Sequence, residues 1–379
     1  MSEIYFDNGA TTRALPQVRE IMDEVLEKEY GNPSSMHMKG FDAEKYVNHA
    51  KEIIAKSLKV DSKEIYFTSG GTEANNLALI GTAFANKRER KHIITSCIEH
   101  ASVYNPLSFL EDEGFEVTYL PVDEHGIVDL EALKKALRKD TLMVSIMCVN
   151  NEIGAIEPVE EIGKIVKSFD PKILFHTDCI QAYGKLNCYP KKWKADMISV
   201  SGHKIHGPKG IGFIYIKNGT KIKPIIWGGN QQKGMRSGTE NVAAIVGMAV
   251  ALQEHMQSID EEQQYLEGLR HRLICGLHSA SLDFIVNGAE KHVPGSISIS
   301  FRGVDGEMLL HRLDLMGIAV ATGSACNSKD TVLSHVIKAI AVPEAYAKGT
   351  IRITLGMDNN EEQVDKIVAA LRRILTWSL

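Results

Sequence analysis

The segment Ser199–Gly212 places Lys204 directly after the apolar run Asp196–Val200 and among small, hydroxyl and imidazole residues. A lysine in that position is poorly hydrated, and an amine that leaves water loses its proton more readily. The neutral amine is a nucleophile that forms Schiff bases with carbonyl compounds. The segment alone is equally compatible with a surface lysine in a Gly-Pro loop, so other residues must decide.

An acidic residue stands at a second informative position. Asp178 follows the buried run Ile173–His176, and a carboxylate at the carboxyl end of a strand faces the ligand side of a parallel sheet. Enzymes that use pyridoxal phosphate (PLP) need an acid beside the pyridine nitrogen, which makes the ring an electron sink. Asp178 fits that role, and Gln181 could bond the ring hydroxyl. The alternative is an aspartate that only caps a helix.

Two glycine-containing stretches could hold a phosphate. Thr68–Asn76 joins a predicted strand to a helix, and Gly71 and Thr72 open that helix, where free amides and the helix dipole favour an anion. The polar stretch Trp227–Asn241 offers Arg236 and Thr239 for the same purpose. The alternative for the first stretch is a glycine turn whose hydroxyl residue only caps the helix. The alternative for the second stretch is a surface loop.

Three polar side chains are candidates for substrate handling. His100, in Ile98–Ser102, could stack on a cofactor ring and move protons near neutral pH. Asn151 follows an apolar run and could donate to a carboxylate. Arg352 lies in a predicted strand, where a rigidly held guanidinium suits bidentate binding of a carboxylate. Two alternatives remain open: His100 could be an ordinary polar histidine, and Arg352 could be a surface arginine on an edge strand.

Cysteine placement distinguishes one thiol from the others. Cys326 lies in the small, polar segment Thr322–Ser328, which predicts a reactive thiol, whereas Cys97, Cys148 and Cys275 have apolar neighbours and are predicted to pack. The six cysteines are widely spread and form no C-x-x-C pair, so we expect reduced thiols and a cytoplasmic protein.

A metal site is the weaker interpretation of the histidines. His203 and His206 are three residues apart, and His176 is near in sequence. Imidazoles beside an aspartate could bind zinc or iron, but the intervening lysine and the glycine-rich setting argue against a metal.

Composition indicates an ordinary globular protein. The chain has 379 residues, 44% of them hydrophobic and 24% charged, with a formal net charge of −5. No like-charge block indicates a nucleic-acid surface, and no apolar run approaches the ~20 residues that span a bilayer. We therefore expect no direct nucleic-acid or membrane partner.

Short apolar runs alternate with helical patterns between residues 64 and 217, which predicts βαβ units and a largely parallel sheet. Asn241–His278 predicts a nearly continuous helix, and a second, smaller α+β unit follows residue 290. The predicted strands are Glu64–Thr68, His92–Thr95, Phe115–Leu120, Thr141–Ile146, Ile173–His176, Asp196–Val200, Ile211–Tyr215, Ser296–Phe301 and Thr350–Thr354, and Glu361–Leu375 is predicted to be the last helix.

Taken together, these segments resemble the cysteine desulfurase family (NifS/IscS-like), whose members are class V aminotransferase-like PLP enzymes of fold type I. The resemblance covers nearly the whole chain and rests on the order of many short motifs. They are Asp7–Thr12, Gly31–Ser35 with His37, Ser69–Asn76, Glu99–His100, Asn150–Gly154, His176–Asp178, Ser201–Lys204, Arg236–Asn241 and Gly323–Cys326. The last motif, Gly323–Cys326, resembles the corresponding motif of one branch of the family, in which the catalytic cysteine lies on a long loop.

The resemblance implies the fold and its domains. It implies an α/β, PLP fold type I protein with a large domain, in which a mainly parallel seven-stranded sheet lies between helices, and a smaller C-terminal α+β domain. The expected PLP-binding domain is residues 15–258. Residues 1–14 and 259–379 form the small domain with the catalytic cysteine.

The resemblance also implies residue roles. Lys204 forms the Schiff base with PLP, Asp178 pairs with the pyridinium, Gln181 reaches the ring hydroxyl and His100 stacks on the ring. Cys326 takes the sulfur, and Asn151 contacts the cofactor and, with Arg352, the substrate carboxylate. The implied phosphate ligands are Gly71, Thr72, Ser201, His203 and, from a second subunit, Thr239.

The expected reaction converts L-cysteine to L-alanine and leaves a persulfide on Cys326 for a sulfur-acceptor protein of iron–sulfur cluster assembly or tRNA thiolation. A homodimer is expected from the shared phosphate site. Departures from the family pattern occur at Gly9, Cys179, Asn230–Lys233 and after Cys326, and none removes a catalytic group. Selenocysteine lyase, another PLP-dependent C–S lyase, an aminotransferase and a non-enzymatic scaffold remain alternatives.

Overall fold

The computed structural model describes residues 3–323 and 333–376, so the predicted residue Cys326 lies outside the described residues. The strands in chain order are β1 (Ile4–Tyr5), β2 (Ile65–Thr68), β3 (His92–Ser96), β4 (Glu116–Leu120), β5 (Thr141–Ser145), β6 (Leu174–Asp178), β7 (Met197–Ser201), β8 (Gly212–Ile216), β9 (Phe284–Asn287), β10 (Ser296–Phe301), β11 (Ile318–Ala319) and β12 (Thr350–Thr354).

The helices in chain order are α1 (Pro16–Lys28), α2 (Met38–Leu58), α3 (Gly71–Asn76), α4 (Thr82–Asn86), α5 (Ala101–Asp112), α6 (Leu130–Ala136), α7 (Val159–Phe169), α8 (Pro190–Trp193), α9 (Val242–Met256), α10 (Ile259–Ser279), α11 (Gly306–Asp314), α12 (His335–Ala339), α13 (Glu344–Ala347) and α14 (Glu361–Thr376). A π-helical turn, Leu77–Gly81, joins α3 to α4. No helix in the described residues is long and apolar enough to cross a membrane.

In the described part of the chain, seven strands form one sheet in the order β2-β8-β7-β6-β5-β3-β4. Neighbouring strands from β4 to β7 are parallel, and β8 runs antiparallel to both β7 and β2. The predicted α/β class with a mainly parallel seven-stranded sheet is therefore confirmed.

Helices cover both faces of this sheet. Alternate residues such as Val144 and Phe175 pack with α2, α7 and α9, whereas Ile93 and Met143 pack with α3 and α5. Strands buried on both sides have near-continuous apolar sequences, which is why the apolar runs located them.

A separate antiparallel sheet, β9-β10-β12, lies in the C-terminal part of the described chain, and β1 pairs in parallel with β11. Its apolar core combines Ile4 and Phe6 with residues from α10, α11 and α14. The core therefore draws on both ends of the chain. The exact domain boundaries at residues 14 and 258 stay a prediction.

The nearly continuous helix predicted from residue 241 to 278 is present with one break that the sequence did not locate, because α9 ends at Met256 and α10 begins at Ile259. Ser258 has φ −137°, and its hydroxyl donates to Glu262 at 3.0 Å. Three acidic residues fill the first turn of α10, where they complement the positive end of the helix dipole. The run of acids marks a helix start that the apolar spacing did not reveal.

The expectation for Cys275 is also wrong. Cys97 and Cys148 are sheltered as predicted, but Cys275 is exposed, with its sulfur 3.5 Å from His271 Nε2. Both residues lie on the outer face of α10, one turn apart. Apolar neighbours in sequence did not place the thiol inside because helical periodicity turns it outward.

Replacing Leu273 by Ala is expected to destabilise the C-terminal unit by about 2–5 kcal/mol, since its side chain is fully buried in that core. Urea unfolding measures the loss of stability. Leu315→Ala is the matched control, because Leu315 is 87% exposed and the same truncation there leaves the midpoint within error. Equal effects of the two substitutions would contradict this description of the core.

Candidate active site

The predicted site residues gather at one edge of the seven-stranded sheet. β2, β3, β5, β6 and β7 all point the same way, because β2 and β7 are both antiparallel to β8. The residues that follow these five strands are Gly71 and Thr72, His100, Asn151, Asp178 with Gln181, and Ser201 with His203 and Lys204. Polar groups at the carboxyl ends of parallel strands meet in the crevice where such sheets bind ligands.

Asp178 ends β6 and is only 4% exposed. Its carboxylate accepts hydrogen bonds from Asn75 Nδ2 at 2.7 Å and from the Ile180 amide at 2.9 Å. Burial raises the pKa of Asp178, while these two bonds, the positive charge of Lys204 and that of His100 when it is protonated counteract the shift. A buried carboxylate with neutral donors on both oxygens favours a cation in front of it.

Asn75 connects this carboxylate to His100. Asn75 Nδ2 also donates to Ser102 Oγ at 2.9 Å, and that hydroxyl lies 2.9 Å from His100 Nδ1. His100 is the N-cap of α5, and its Nδ1 accepts the Ser102 amide at 3.1 Å. The neutral ring therefore carries its proton on Nε2. Burial lowers the pKa of His100, which favours the neutral ring.

Asn75 and Ser102 had no role in the sequence-based interpretation, although both lie in motifs that it singled out. Asn75 faces inward only because α3 turns it toward β6, and its side chain is fully buried. The sequence did contain one indication of this role. Asn75 lies four residues after Gly71, which places both residues on the same side of the helix.

Lys204 ends a short 3₁₀ turn, Gly202–Lys204, that follows β7. Its amine donates to the carbonyl oxygens of Gly9 at 2.5 Å and Ala10 at 2.7 Å. The N-terminal segment is held against this turn by Thr12, whose amide and hydroxyl both donate to the His203 carbonyl, at 3.0 and 2.9 Å. The amine thus lies where two distant chain segments cross.

The Gly70–Gly71 turn begins the helical run 71–86. Gly70 has φ +154°, and a Cβ on Gly71 would lie 2.0 Å from Ile180 Cδ1, so the turn requires glycine at this close approach. Ser201 is adjacent, since its own Cβ would lie 3.5 Å from a Cβ on Gly71. The first amides of the run have no intrahelical partner by helix geometry and face an anion-binding position.

The Arg236 guanidinium pairs with Glu73 at 2.9 Å in the described chain, and its contact with a phosphate stays a prediction. Thr239 is exposed and borders a pocket of about 230 Å³ that also includes Ser69 and Gly210. Its contribution to a second subunit stays a prediction.

Arg352 lies in β12, as predicted, and is 8% exposed. Its terminal nitrogens donate to Asp7 at 2.9 Å and to the Asn151 carbonyl at 3.0 Å, while Nε is buried without a partner among the described residues. The backbone of Arg352 exchanges two hydrogen bonds with Ala321, at 3.0 and 2.7 Å. The guanidinium is therefore rigid and lies beside the segment that leads toward Cys326.

Glu152, next to Asn151, was not predicted to have a role. Its carboxylate accepts the Ser334 hydroxyl at 2.6 Å, and a Cβ on Gly323 would lie 2.4 Å from the same oxygen. Gly323 and Ser334 flank the chain that contains Cys326. Burial raises the pKa of Glu152 to about 7, although the Ser334 bond lowers it. One carboxyl group therefore contacts both ends of that stretch.

The three histidines considered for a metal do not converge. His176 lies inside β6 and bonds the Ser145 and Ser199 hydroxyls at 2.8 and 2.9 Å. His203 Nδ1 contacts Thr11, and His206 Nδ1 contacts the Arg13 carbonyl. Within residues 3–323 and 333–376, no three His, Cys, Asp or Glu side chains are grouped to hold a metal ion.

Comparisons with known proteins agree with this geometry. The aminotransferase class-V family model matches residues 4–367. A cysteine desulfurase IscS from Dictyoglomus turgidum is 46% identical over 374 residues, which cover 98% of this chain and 94% of that protein. Among solved structures, a NifS-like protein has a TM-score of 0.94 at 39% identity and covers 99% of this chain and 100% of its own.

The structure of SspA in complex with cysteine is also similar, with a TM-score of 0.80 at 34% identity over 93% of this chain and 99% of that one. The predicted family is confirmed by sequence and by fold. The chain belongs to the aminotransferase class-V family and, within it, to the IscS/NifS-like cysteine desulfurases.

Proposed function

We propose that this protein is a PLP-dependent cysteine desulfurase that converts L-cysteine to L-alanine and holds the released sulfur as a persulfide on Cys326. The observation that carries the proposal is the convergence of an amine, a buried carboxylate and a neutral imidazole, from Lys204, Asp178 and His100, at one sheet edge. These groups come from three different strand ends, so their meeting is a property of the fold.

The residues at this edge fit PLP. A buried Asp178 carboxylate with only neutral hydrogen-bond donors gains from the positive charge of a protonated pyridine nitrogen. Lys204 supplies the amine for the aldehyde, Gln181 the donor for the ring oxygen, and His100 the stacking face. Gly71, Thr72, Ser201 and His203 surround the position for the phosphate. When bound, PLP supplies an electron sink for the bond-breaking steps.

Substrate binding is assigned to Arg352 and Asn151. Asp7 and the Asn151 carbonyl fix the guanidinium, and its buried, unpartnered Nε–H is a donor that a substrate carboxylate would satisfy. An arginine held in this way binds a carboxylate with defined geometry, which orients the α-carbon of cysteine. The Asn151 side chain adds a second donor from the neighbouring turn.

Proton transfer is assigned to Lys204 and His100. Lys204 would hold PLP through its amine and, once released by the substrate, would be the base that takes the proton from the substrate α-carbon. His100 serves proton traffic at the substrate sulfur through its Nε2–H, which can donate, while its Nδ1 is fixed by the Ser102 amide. Burial lowers the pKa of His100 and so favours this neutral, donating form of the ring.

Sulfur transfer is assigned to Cys326. Its thiolate attacks the substrate sulfur, the new S–S bond forms as the substrate Cβ–S bond breaks, and the Cβ carbon keeps the electron pair and gains a proton to become the methyl group of alanine. Cys326 is three residues after Gly323, so their Cα atoms are at most about 11 Å apart. Gly323 contacts Glu152, whose neighbour Asn151 holds Arg352.

The persulfide is passed to an acceptor protein of iron–sulfur cluster assembly or tRNA thiolation, and the enzyme acts as a homodimer in which Thr239 reaches the partner's phosphate site. Thr239 supports this arrangement because it lies exposed on a glycine-rich stretch. We place the enzyme in the cytoplasm, since the five described cysteines are all free thiols.

The first prediction concerns the two reactive residues. Lys204→Ala is expected to abolish the visible absorption of protein-bound PLP, whereas Cys326→Ser retains that absorption and loses persulfide formation and sulfide release. Absorption spectra and peptide mass mapping measure the two effects. Cys275→Ser is the matched control, because this exposed thiol lies outside the site and its loss should change neither. Undiminished sulfide release from Cys326→Ser would refute the persulfide step.

That experiment also separates related reactions. Turnover of cysteine, selenocysteine and cysteine sulfinate by Cys326→Ser distinguishes a desulfurase from a lyase that does not need the thiol. Selective loss of cysteine turnover supports the proposal. Equal turnover of all three by the parent and the variant contradicts it.

The second prediction concerns Gly323. Gly323→Ala is expected to push the Glu152 carboxylate aside, because the added Cβ would lie 2.4 Å from it, and to slow persulfide formation by about tenfold or more through misplacement of the chain leading to Cys326. Rapid-quench measurement of the first turnover tests this. Gly268→Ala is the control, since nothing lies within 4 Å of its added Cβ. An unaltered first turnover in Gly323→Ala would contradict the prediction.

A further inference from the structure

The turn that follows β6 carries a buried amine that the proposed reaction does not use. Two i→i+4 backbone bonds, from Tyr183 to Cys179 and from Leu186 to Ala182, wind this turn, both at 2.8 Å. Lys185 follows Gln181 by four residues in this turn, which brings its amine to the Gln181 side chain.

Lys185 is bonded to the site through Gln181. Its Nζ donates to Gln181 Oε1 at 3.1 Å, and Gln181 Nε2 donates to the Gly9 carbonyl at 3.0 Å. That carbonyl also accepts the Lys204 amine. The two lysine amines are thus connected by one amide side chain and one backbone oxygen.

Packing holds Lys185 close to Lys204. Gly184 has φ +79°, and a Cβ there would lie 2.5 Å from Cγ2 of Ile205, the residue after Lys204. Both lysines line the same cavity of about 50 Å³. Burial lowers the pKa of Lys185 to about 7, and the positive charges of Lys204 and Arg352 add to the shift.

The direction of the Gln181 amide follows from this contact. The Lys185 amine donates to Gln181 Oε1, and in its protonated form it can only donate, which keeps the carbonyl oxygen of the amide on this side. The amide nitrogen then points to the opposite side, toward Gly9 and the site. The Gly9 carbonyl favours the same orientation from the other end, so loss of the donor at position 185 weakens this orientation of the amide.

We propose that Lys185 is a positioning residue, which together with the Gly9 carbonyl orients the Gln181 amide with its N–H toward the cofactor ring oxygen and which, in its protonated form, places a positive charge beside the Lys204 amine. The proposal rests on the proposed function, because Gln181 and Lys204 act on PLP there, and it assigns Lys185 a role that the family resemblance did not imply.

Both effects act on the ionisation of Lys204 bound to PLP. A donor to the ring oxygen weakens that oxygen's hold on the proton of the Schiff base nitrogen, and a nearby positive charge disfavours the protonated form. The other charged or titratable groups around the two lysines are Asp178, His100, His203 and Arg352, and those lining the shared cavity are His206, His255 and Glu262.

The test titrates the visible absorption of the holoenzyme against pH. Lys185→Met is expected to raise the midpoint of the transition by about 0.5–1 pH unit, since it removes the donor and the like charge while keeping a long side chain. Lys185→Arg keeps both and is expected to retain the midpoint of the parent enzyme. Lys192→Met, which removes an exposed lysine bonded to Glu160, is the matched control.

A double-mutant cycle with Gln181→Leu isolates the effect that passes through the amide. In that background Lys185→Met is expected to shift the midpoint less than in the parent, because the amide can no longer be misoriented. Lys185→Gln supplies a neutral donor and should give an intermediate midpoint. It also serves if Lys185→Met does not fold, which thermal unfolding would show.

An unchanged midpoint in Lys185→Met or, where that variant does not fold, in Lys185→Gln overturns the proposal, and so does an equal upward shift in Lys185→Arg. An undiminished shift in the Gln181→Leu background overturns the positioning of the amide. A parent enzyme without the visible absorption refutes the PLP chemistry itself and the inference with it. The two failures can therefore be distinguished: if only the role of Lys185 is wrong, the parent enzyme still shows the visible absorption of bound PLP.

Discussion

The structure of the site depends on one electrostatic constraint, the burial of the Asp178 carboxylate. Removing a carboxylate from water costs several kcal/mol, and the two hydrogen bonds from Asn75 and Ile180 offset only part of that cost. Positive charge near the carboxylate offsets a further part. The Lys204 amine, and His100 when it is protonated, oppose the rise in the pKa of Asp178.

A second constraint joins the two ends of the chain to this site. The segment Asp7–Thr12 bonds Arg352 through Asp7, the Lys204 amine through the Gly9 and Ala10 carbonyls, and the His203 carbonyl through Thr12. The same N-terminal region contributes Ile4 and Phe6 to the C-terminal core. The arginine proposed to bind substrate and the amine proposed to hold the cofactor are therefore both held by one short segment, which also contributes to the C-terminal core.

Much of the fold and of the candidate site could be predicted from the sequence, and particular residues show why. The strands of the large sheet were found because they are buried on both faces and appear as unbroken apolar runs. Lys204, Asp178 and His100 were found because each lies within five residues of the end of such a run. The strands β1 and β11 were not found, since two residues carry no detectable periodicity, and β9 was not found because it is a half-buried strand at the edge of its sheet.

Other features could not be predicted because they depend on contacts between distant residues. Cys275 faces solvent through its position on α10, and the break at Ser258 depends on a hydrogen bond with Glu262. The ion pair between Arg236 and Glu73 joins residues that are far apart in sequence. The roles of Glu152, Asn75 and Lys185 could not be predicted, because they depend on contacts with residues that only the fold brings near them.

The sequence by itself determined which strands are buried, which residues stand at strand ends, and which family the motifs resemble, since these are local patterns along the chain. The tertiary structure alone decided that Asn75 bonds Asp178, that the Gly9 carbonyl meets Lys204, and that Glu152 contacts Gly323 and Ser334. Hydrogen bonds and charge interactions act over a few ångströms, so their partners are set by folding rather than by separation in sequence.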